Sequence, residues 1–312
     1  MTDAADPSQT DDIAVTAAIC AFRRPGIVDT LRSLADQTLP EGLRLQVVVV
    51  ENDDAPNLKQ LIVREARALG LDLRYRHVPG RNISIARNAC LDAARGRALL
   101  FIDDDEIAEP DWAARLVTAW RTSGAGVVFG PAYAVYPPNV PLWMRRNDFH
   151  SNIPTRNQGI VETGFSSNAL LDLTDPRVRD ARFDLAFGRT GGEDVDFFFR
   201  LHRAGVAMTI TDDAIVREPV AADRLSIGWL VRRRRTVGAI YGTCASVGRN
   251  SHRIELAVRG GAKAGYCGLR ALISVGNRER SIFWLMRGMF HAGVVSGCIA
   301  PPRGANYGSA ST

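Results

Sequence analysis

Short apolar segments alternate with helix-like segments through the first 121 residues of this 312-residue chain. Strands joined by helices of roughly 10 residues form right-handed crossovers, which produce a mostly parallel sheet covered by helices on both faces. The pattern therefore predicts an α/β fold with such a sheet at its centre. The predicted strands and helices, alternating in chain order, are Val15 to Cys20, Ile27 to Gln37, Leu45 to Val50, Leu58 to Leu69, Asp72 to His77, Ile83 to Ala94, Ala98 to Ile102 and Asp111 to Arg121.

The alternation is less regular beyond Gly124. Residues 131–159 are rich in Pro, Asn and aromatic residues, which predicts a long functional loop. The remaining predicted elements of this region are a strand from Val127 to Gly130, strand-like residues from Ile160 to Leu171, a helix from Asp194 to Ala204 and a strand from Val206 to Ile210.

The basic residues are concentrated in the last third of the chain. Residues 223–312 contain 14 Lys and Arg residues and 3 acidic ones, whereas residues 1–222 contain 25 and 31, so local charges of +11 and −6 underlie the formal charge of +5. A basic segment can meet nucleic acid, anionic lipid headgroups or a phosphorylated ligand. Because the sequence has no helix-turn-helix, zinc-finger or RNA-recognition signature, no nucleic-acid partner is expected. We expect residues 223–300 to form a basic helical segment that associates with an anionic membrane surface.

The most apolar late stretch is Ile282 to Ala300, which Arg287 and His291 interrupt. A spanning helix needs about 20 mostly apolar residues, and a central Arg costs roughly 2.5 to 3.5 kcal/mol on insertion scales, so spanning is disfavoured. Two alternatives stay open: a helix that lies in the membrane interface, and a helix that packs against the catalytic domain. From Leu225 onward, no solvent-facing apolar stripe is clean enough to predict an amphipathic helix.

The two ends of the chain and its cysteines indicate the cellular compartment to expect. Residues 1–12 are polar and acidic, without the pattern of a secretory signal, so we expect a disordered tail and a cytoplasmic protein. Residues 301–312 are expected to form a flexible tail. The five cysteines are odd in number, widely spaced and free of Cys-x-x-Cys pairs, which predicts reduced thiols and neither disulfides nor a zinc site.

Four consecutive acidic residues, Asp103 to Glu106, follow the predicted strand Ala98 to Ile102 directly. The carboxyl ends of strands in an open α/β sheet are where ligands bind. Clustered carboxylates repel each other unless cations, donors or water compensate, and oxygen-rich clusters suit hard divalent ions that also bind phosphates. The alternative is a solvated, acid-capped turn before the helix that begins near Pro110.

Polar groups also follow the first two predicted strands. Phe22 and Pro25 lie in the loop after the first strand, and Glu51, Asn52 and Asp53 end the second. In a nucleotide-binding sheet these positions contact a base and ribose. The alternative for each cluster is a capped turn.

One predicted helix begins with residues suited to an anion. Ser84 is predicted to cap the helix, and Arg87 and Asn88, one turn further along, are predicted to project from its amino end toward an anion. The alternative for Arg87 is an ordinary surface residue.

A second predicted helix begins with two acids after two glycines. Gly191 and Gly192 allow a tight turn, which places Glu193 and Asp194 at the start of the helix. Such carboxylates are candidates for catalysis, and the alternative is helix capping alone.

Taken in order, these stretches resemble glycosyltransferase family 2, inverting enzymes with the nucleotide-sugar-binding α/β fold called GT-A. The resemblance covers residues 14 to about 210. The Arg-rich C-terminal segment is similar to that of bacterial exopolysaccharide glucosyltransferases of the succinoglycan type. The matching stretches are Phe22 and Pro25, the Glu51-Asn52-Asp53 strand end, the Ser84-x-Ala86-Arg87-Asn88 helix, Asp103-Asp104-Asp105 as the Asp-x-Asp motif and Gly192-Glu193-Asp194 as the catalytic motif.

The resemblance implies a role for each matching residue. Asp103 would face the donor's ribose, and Asp105, with Asp103, would bind Mg²⁺ or Mn²⁺ at the donor's diphosphate. Arg87 would hold the phosphates, and Asp194, next to Glu193, would be the general base. The implied donor-binding residues are Phe22, Pro25, Glu51, Asn52, Asp53, Arg87, Asn88, Asp103 and Asp104. Asn168 and Gly192 would lie on the acceptor side, because Gly164-Phe-Ser-Ser-Asn168 resembles the acceptor-side strand and loop; a buried turn is the alternative for Asn168.

Some positions depart from the family pattern. Asn52 stands between Glu51 and Asp53 where many members carry two adjacent acids, so the side chain that reads the base stays open. The Gln-x-x-Arg-Trp motif of processive synthases is missing, although Trp229 and residues 232–235, all Arg, lie in the comparable region in another order. The resemblance therefore favours addition of one sugar per acceptor.

The function expected is that of a cytoplasmic, metal-dependent, inverting enzyme. It would move a hexose, glucose from UDP-glucose, onto a lipid-linked oligosaccharide at the inner face of the plasma membrane. One alternative is a sugar-1-phosphate nucleotidyltransferase, which needs a Gly-rich, Lys-containing loop that residues 21–26 match poorly. The other is a non-catalytic membrane-tethering protein that binds a nucleotide sugar, which the intact Asp103, Asp105 and Asp194 disfavour.

Overall fold

The computed structural model describes residues 13–248 and 250–300, so the two expected tails lie outside the described residues. The strands are Ile13–Ala21 (β1), Leu43–Glu51 (β2), Leu73–His77 (β3), Ala98–Ile102 (β4), Ile107–Ala108 (β5), Val127–Phe129 (β6), Ala132–Val135 (β7), Asn168–Asp172 (β8), Met208–Ile210 (β9) and Val216–Pro219 (β10). The helices are Ile27–Ala35 (α1), Lys59–Ala68 (α2), Ile83–Ala93 (α3), Trp112–Ser123 (α4), Leu142–Asn147 (α5), Pro176–Arg179 (α6), Glu193–Arg203 (α7), Ile227–Ala245 (α8), Asn250–Ile273 (α9) and Arg278–Ile299 (α10), with a short 3-10 helix at Ala222–Arg224.

Seven strands form the central sheet, in the order β3-β2-β1-β4-β8-β6-β9. Neighbouring strands are parallel except that β8 runs antiparallel to both β4 and β6, so the predicted mostly parallel sheet is confirmed. The carboxyl ends of β2, β1 and β4 therefore lie side by side. Asn168, which begins β8, pairs with Ile102, which ends β4, so the start of β8 lies at the same edge.

Helices cover both faces of this sheet, as predicted. Alternate side chains of a strand point to opposite faces. Val15, Ala17 and Ile19 of β1 accordingly pack in one apolar cluster with residues of α1, α2 and α4. Ala18 and Cys20 pack in a second cluster with residues of α3 and α7.

The region beyond residue 130 differs from the prediction. Within the predicted loop 131–159 the structure has β7 and α5, and β7 joins β10 and β5 in a second, three-stranded sheet. Of the strand-like residues 160–171, a strand forms only from Asn168. Ile160, the first of them, is exposed, so its apolar character does not reflect a buried strand.

The C-terminal helices form three layers, because α10 lies between α8 and α9. Glycines permit a very close approach of α8 and α10. A Cβ on Gly242 would lie 2.2 Å from the Val294 carbonyl oxygen, and one on Gly297 would lie 1.9 Å from that of Ala239. Among the described residues, α10 alone is long and apolar enough to cross a membrane, but 39% of its most apolar window is buried inside the protein. This helix packs mainly against α8 and α9, and its relation to a membrane stays a prediction.

All five cysteines are buried and free, in agreement with the expected reduced thiols.

Candidate active site

A tight turn follows β4 and fixes the acidic cluster. The Asp103 backbone N–H donates to the Glu106 side chain over 2.9 Å, and the Glu106 backbone N–H donates to the Asp103 carbonyl over 3.2 Å. Glu106 is buried, and burial together with Asp103 raises its pKa. Glu106 therefore holds the turn, while Asp103 and Asp105 keep access to solvent.

The middle acid of the motif has a structural partner. Asp104 is buried, accepts a hydrogen bond from the Phe22 backbone N–H over 3.0 Å, and pairs with Arg24 over 2.7 Å. Burial raises the pKa of Asp104 to about 6, although Arg24 opposes the shift. The same Arg24 nitrogen lies 2.9 Å from Asp105. Arg24, which the sequence analysis did not single out, thus bridges two acids of the cluster.

Gly192 determines where α7 begins. Its φ is +93°, in the left-handed region, and an added Cβ would lie 2.5 Å from the Ile240 side chain of α8. The predicted tight turn is therefore present. It places Glu193 and Asp194 in the first turn of α7, where Asp194 accepts a hydrogen bond from the Val195 backbone N–H over 2.7 Å.

Arg87 lies at the contact between the acidic cluster and α7. It is buried, forms an ion pair with Glu193, and lies 3.8 Å from Asp103. Burial alone would lower the pKa of Arg87, but Glu193, Asp103 and Asp194 together raise it, so the side chain stays charged. Burial also raises the pKa of Glu193, and Arg87 opposes that shift. The ordinary surface position for Arg87 is excluded.

Two adjoining cavities connect these acids. The larger, of about 420 Å³, is lined by Asp103 and Asp105, and the smaller, of about 200 Å³, is lined by Arg87 and Asp194. The residues that line both are Asp103, Asn152, Phe165, Arg233 and Val237. Asp105 and Asp194, 89 positions apart in the chain, therefore line neighbouring cavities that have five lining residues in common.

One wall of this space comes from α8 and the loop before it. His150 stacks on Trp229 with ring centres 5.3 Å apart, and the Arg224 guanidinium lies over the same indole. Arg233 lines both cavities, and no carboxylate in the described ranges lies within 4 Å of it. The sequence analysis noted the arginine run but gave Arg233 no role. Its place in the region comparable to the missing synthase motif was the available signal.

His150 is held in this wall through both of its ring nitrogens. Its Nε2 lies 3.1 Å from the Arg224 carbonyl oxygen, and its Nδ1 lies 3.0 Å from the Tyr136 hydroxyl. Burial lowers the pKa of His150, and the Arg224 and Arg234 charges act in the same direction, while the hydrogen bond to the Arg224 carbonyl and Asp148 oppose it. The Tyr136 hydroxyl also donates to the Asp148 carboxylate, over 3.1 Å.

Three buried oxygens of the smaller cavity lack hydrogen-bond partners among the described residues. They are the hydroxyls of Ser166 and Ser167 and Oε2 of Glu193. Leaving a buried polar group unpaired costs about 1–3 kcal/mol, so such groups call for a ligand or water. Both serines lie in the Gly164 to Asn168 stretch, but the sequence analysis selected Asn168 from it.

Asn168 itself is a structural residue, contrary to the acceptor-side prediction. It is buried, accepts a hydrogen bond from the Trp112 indole N–H over 2.9 Å, and donates to the carbonyls of Pro131 and Ala214. Because all its polar groups are used inside the protein, none is available to an acceptor. The buried-turn alternative is correct.

Glu51 and Asn52 are likewise used inside the protein. Glu51 accepts from the Leu58 backbone N–H and the Tyr75 hydroxyl, and Asn52 donates to the Val78 carbonyl and accepts from the Asn82 backbone N–H. Both are buried, so their predicted donor contacts are not available in this arrangement.

The other predicted donor-side groups of the first two strands lie outside the two cavities. Asp53 forms a double hydrogen bond with Arg23, over 2.7 and 2.9 Å, and this bond is the largest cause that lowers the pKa of Asp53 to about 2. Phe22 contributes its backbone to Asp104, and Pro25 is exposed in the same loop. Their predicted donor roles stay predictions.

The start of α3 also corrects two predictions. The capping side chain is Asn82, which accepts from the backbone N–H groups of Ser84 and Ile85, whereas the Ser84 hydroxyl donates to the Asp184 carbonyl. Asn88 does not point toward an anion, because its side chain donates to the Phe183 carbonyl and accepts from the Phe183 N–H.

The donor set for a divalent ion is small. No group of three or more His, Cys, Asp or Glu residues in residues 13–248 and 250–300 could hold a metal alone. Asp103 and Asp105 supply two carboxylates to the larger cavity. Mg²⁺ is commonly bound by one or two carboxylates, with substrate phosphates and water completing its shell. These residues therefore fit an ion that binds together with a diphosphate.

Comparisons with known proteins agree with this geometry. The family described as glycosyl transferase family 2 matches residues 16–171. Succinoglycan biosynthesis protein ExoM of Rhizobium meliloti (strain 1021) is 39% identical over 307 residues, which cover 97% of this chain and 98% of the relative.

Solved structures with a similar fold include proteins in complex with nucleotide sugars. Mannosyltransferase PcManGT from Pyrobaculum calidifontis, in complex with GDP-Man and Mn²⁺, has a TM-score of 0.60 at 17% identity and covers 90% of this chain and 86% of its own. S. aureus TarS 1-349 in complex with UDP-GlcNAc has a TM-score of 0.51 at 14% identity, over 91% and 90%. These likenesses confirm the predicted GT-A fold, and the sequence match shows that the chain belongs to glycosyl transferase family 2.

Proposed function

We propose that the chain is an inverting glycosyltransferase that transfers a hexose, glucose from UDP-glucose, to a lipid-linked oligosaccharide in exopolysaccharide biosynthesis. The observation that carries the proposal is the shared lining of the two cavities, because it places Asp105 and Asp194 in neighbouring cavities with Asp103 between them in the lining of both. The relative from Rhizobium meliloti supports the exopolysaccharide context, since its name assigns it to succinoglycan biosynthesis.

The larger cavity binds the donor's diphosphate. Asp105 and Asp103 would hold Mg²⁺ or Mn²⁺ there, and the mannosyltransferase solved with Mn²⁺ supports this choice. The ion supplies Lewis-acid stabilisation of the charge that develops on the leaving nucleotide. Arg233 adds a positive charge that no carboxylate in the described part of the chain neutralises, and Arg87 holds Glu193 and Asp103 in place.

Asp194 is the general base in the smaller cavity. It accepts the proton of an acceptor hydroxyl when it lies within about 3 Å of that group. The hydroxyl oxygen then bonds to the anomeric carbon from the face opposite the diphosphate, and the bond from that carbon to the phosphate oxygen breaks. An α-linked donor gives a β-glycoside. Ser166 and Ser167 supply unpaired hydroxyls beside the base to orient the acceptor sugar.

The basic C-terminal segment places the enzyme at the inner face of the plasma membrane as a peripheral protein. The 13 Lys and Arg residues of residues 223–300, against 3 acidic ones, suit anionic headgroups. A lipid-linked acceptor is available at that surface. One sugar is added per acceptor, since the Gln-x-x-Arg-Trp motif is missing from the sequence.

The donor is tested with the purified full-length protein, Mn²⁺ or Mg²⁺ and a panel of nucleotide sugars. We expect hydrolysis of UDP-glucose above the other donors and loss of activity with a chelator. When a lipid-linked oligosaccharide is added as the acceptor, we expect a β-linked product by NMR. If another nucleotide sugar is hydrolysed instead, that donor would replace UDP-glucose in the proposal. Release of pyrophosphate from a nucleoside triphosphate and a sugar 1-phosphate would instead support the nucleotidyltransferase.

The base is tested by Asp194→Asn with Asp196→Asn as the matched control. Asp196 lies in the same helical turn but pairs with Arg200 over 2.8 Å and lines neither cavity. General-base catalysis contributes roughly 10²–10⁴-fold, so we expect a loss of that size in kcat for Asp194→Asn only. Unchanged polysaccharide production in cells that carry Asp194→Asn would favour a membrane tether without catalysis.

A further inference from the structure

The outward face of α9 is apolar along its whole described length. The exposed fractions of its large side chains are 65% for Ile254, 66% for Val258, 57% for Leu269, 73% for Leu272 and 71% for Ile273. At 3.6 residues per turn, these positions fall on one strip. A strip of this kind on a monomer indicates a site that another surface covers.

The strip is continuous and lies opposite the face that contacts α10. Exposed Gly261, Ala262 and Gly265 occupy the middle of the strip, so no charged side chain interrupts it between Val258 and Leu269. Gly260 and Cys267, on the opposite face, are buried, and Cys267 contacts Gly288 of α10. The structure therefore shows that α9 is amphipathic. Apolar periodicity alone did not predict this, because small residues fill the centre of the strip.

Cations follow one flank of the strip. Arg259 and Lys263 lie four residues apart on that flank, whereas the guanidinium of Arg270, seven residues further on, lies over the Trp284 ring of α10. Glu255 is the acidic residue of α9, and it pairs with Arg259 over 2.8 Å. A row of cations beside an apolar strip is complementary to anionic lipid headgroups above an acyl layer.

We propose that the outward face of α9 lies flat on an anionic lipid bilayer, with the apolar strip at the acyl boundary and the cation row among the headgroups. This deepens the membrane location in the proposed function and rests on that location, but not on the transfer chemistry. It assigns the contact to α9, whereas α10, the more apolar helix, is held between α8 and α9.

The test is co-sedimentation of the full-length protein with phosphatidylcholine vesicles, with and without phosphatidylglycerol. We expect binding only with phosphatidylglycerol, and release at high salt because screening weakens the headgroup contacts. Leu272→Glu should weaken binding by roughly tenfold or more. Val63→Glu, on the 42% exposed Val63 of α2, is the matched control and should bind like the wild type. Lys263→Gln should weaken binding by about fivefold.

Three results would overturn the inference. The first is equal binding of Leu272→Glu and the wild type, with Leu272→Ser behaving in the same way. The second is binding to neutral vesicles that alkaline carbonate does not reverse, which would indicate insertion of α10. The third is a wild-type oligomer that Leu272→Glu dissociates without any change in vesicle binding, which would assign the strip to a second copy of the chain.

Donor hydrolysis in the same samples separates this inference from the proposed function. If the wild type hydrolyses a nucleotide sugar but binds no vesicles, the inference about α9 fails and the transferase stands. If it binds anionic vesicles through Leu272 and hydrolyses no donor, the transferase proposal fails and the inference stands.

Discussion

At the scale of single residues, Arg233 is placed to contact a phosphate, because it lines both cavities without a carboxylate partner in the described ranges. Arg232 precedes it and is exposed, but lines neither cavity. A charge-assisted hydrogen bond contributes roughly 1.5–3 kcal/mol, so Arg233→Gln should raise the KM for the donor about 10- to 100-fold. Arg232→Gln should leave KM unchanged in steady-state kinetics. Equal effects in the two variants would contradict this role.

His150 provides a prediction about pH. Its pKa is lowered below the ordinary value of 6.5, chiefly by burial. Neutral His150 therefore contributes to the free energy of unfolding fully above pH 6.5, and the contribution is lost as the pH falls through the lowered pKa. NMR titration of the ring carbon-bound protons, assigned with His150→Asn, should give a midpoint below 6.5. A midpoint at or above 6.5 would show that the ring is not held neutral.

The sequence predicted the positions of the acidic side chains of the site better than those of the Asn side chains. Asp103, Asp105 and Asp194 could be placed because each directly follows a strand end or a glycine turn, which are local features. Asn88 and Asn168 could not, because their partners Phe183 and Trp112 are 95 and 56 residues away. The sequence around a single Asn does not indicate whether its side chain will form hydrogen bonds with groups that are distant in the chain.

At the scale of elements, the turn before α7 depends on Gly192. Alanine there must adopt a left-handed φ and would also press on Ile240, so we expect Gly192→Ala to lower the free energy of unfolding by about 1–3 kcal/mol and to reduce kcat. Gly205→Ala is the control: its φ is also positive, at +77°, but the nearest atom lies 3.7 Å away. It should lose about 1 kcal/mol in urea unfolding and keep full activity. Equal kinetics for both variants would refute a positioning role for Gly192.

Element prediction succeeded where hydrophobic periodicity is strong. The strands and helices of residues 13–123 agree with the prediction to within two residues at most ends, since each buries an apolar face against the central sheet. The sheet of β5, β7 and β10 was missed because its strands have two to four residues and pair across more than 80 positions. Segments that short carry no measurable period.

At the scale of the whole molecule, glycine contacts join α10 to the catalytic part through α8. A Cβ on Gly297 would meet the α8 backbone, so Gly297→Ala should separate the helices and lower the free energy of unfolding by about 1–3 kcal/mol. Gly268→Ala, on α9 with no atom within 4 Å of its Cβ, should instead gain up to about 1 kcal/mol from helix propensity. Urea unfolding of both variants measures the difference. A stabilised Gly297→Ala would show that the close approach is not required.

The order of the last three helices also sets the distance between the cavities at α8 and the outward face of α9. Trp229 and Arg233 face the cavities from one side of α8, while Gly238 and Gly242 contact α10 from the other, and α9 lies beyond α10. Packed helix axes are about 8–10 Å apart, so two such steps hold the reaction centre roughly 20 Å above the plane on which α9 rests. On the proposal that α9 lies on a bilayer, a lipid-linked acceptor with several sugars should therefore be a better substrate than a carrier with one sugar. Transfer assays with the two acceptors would measure the difference, and equal rates would contradict it.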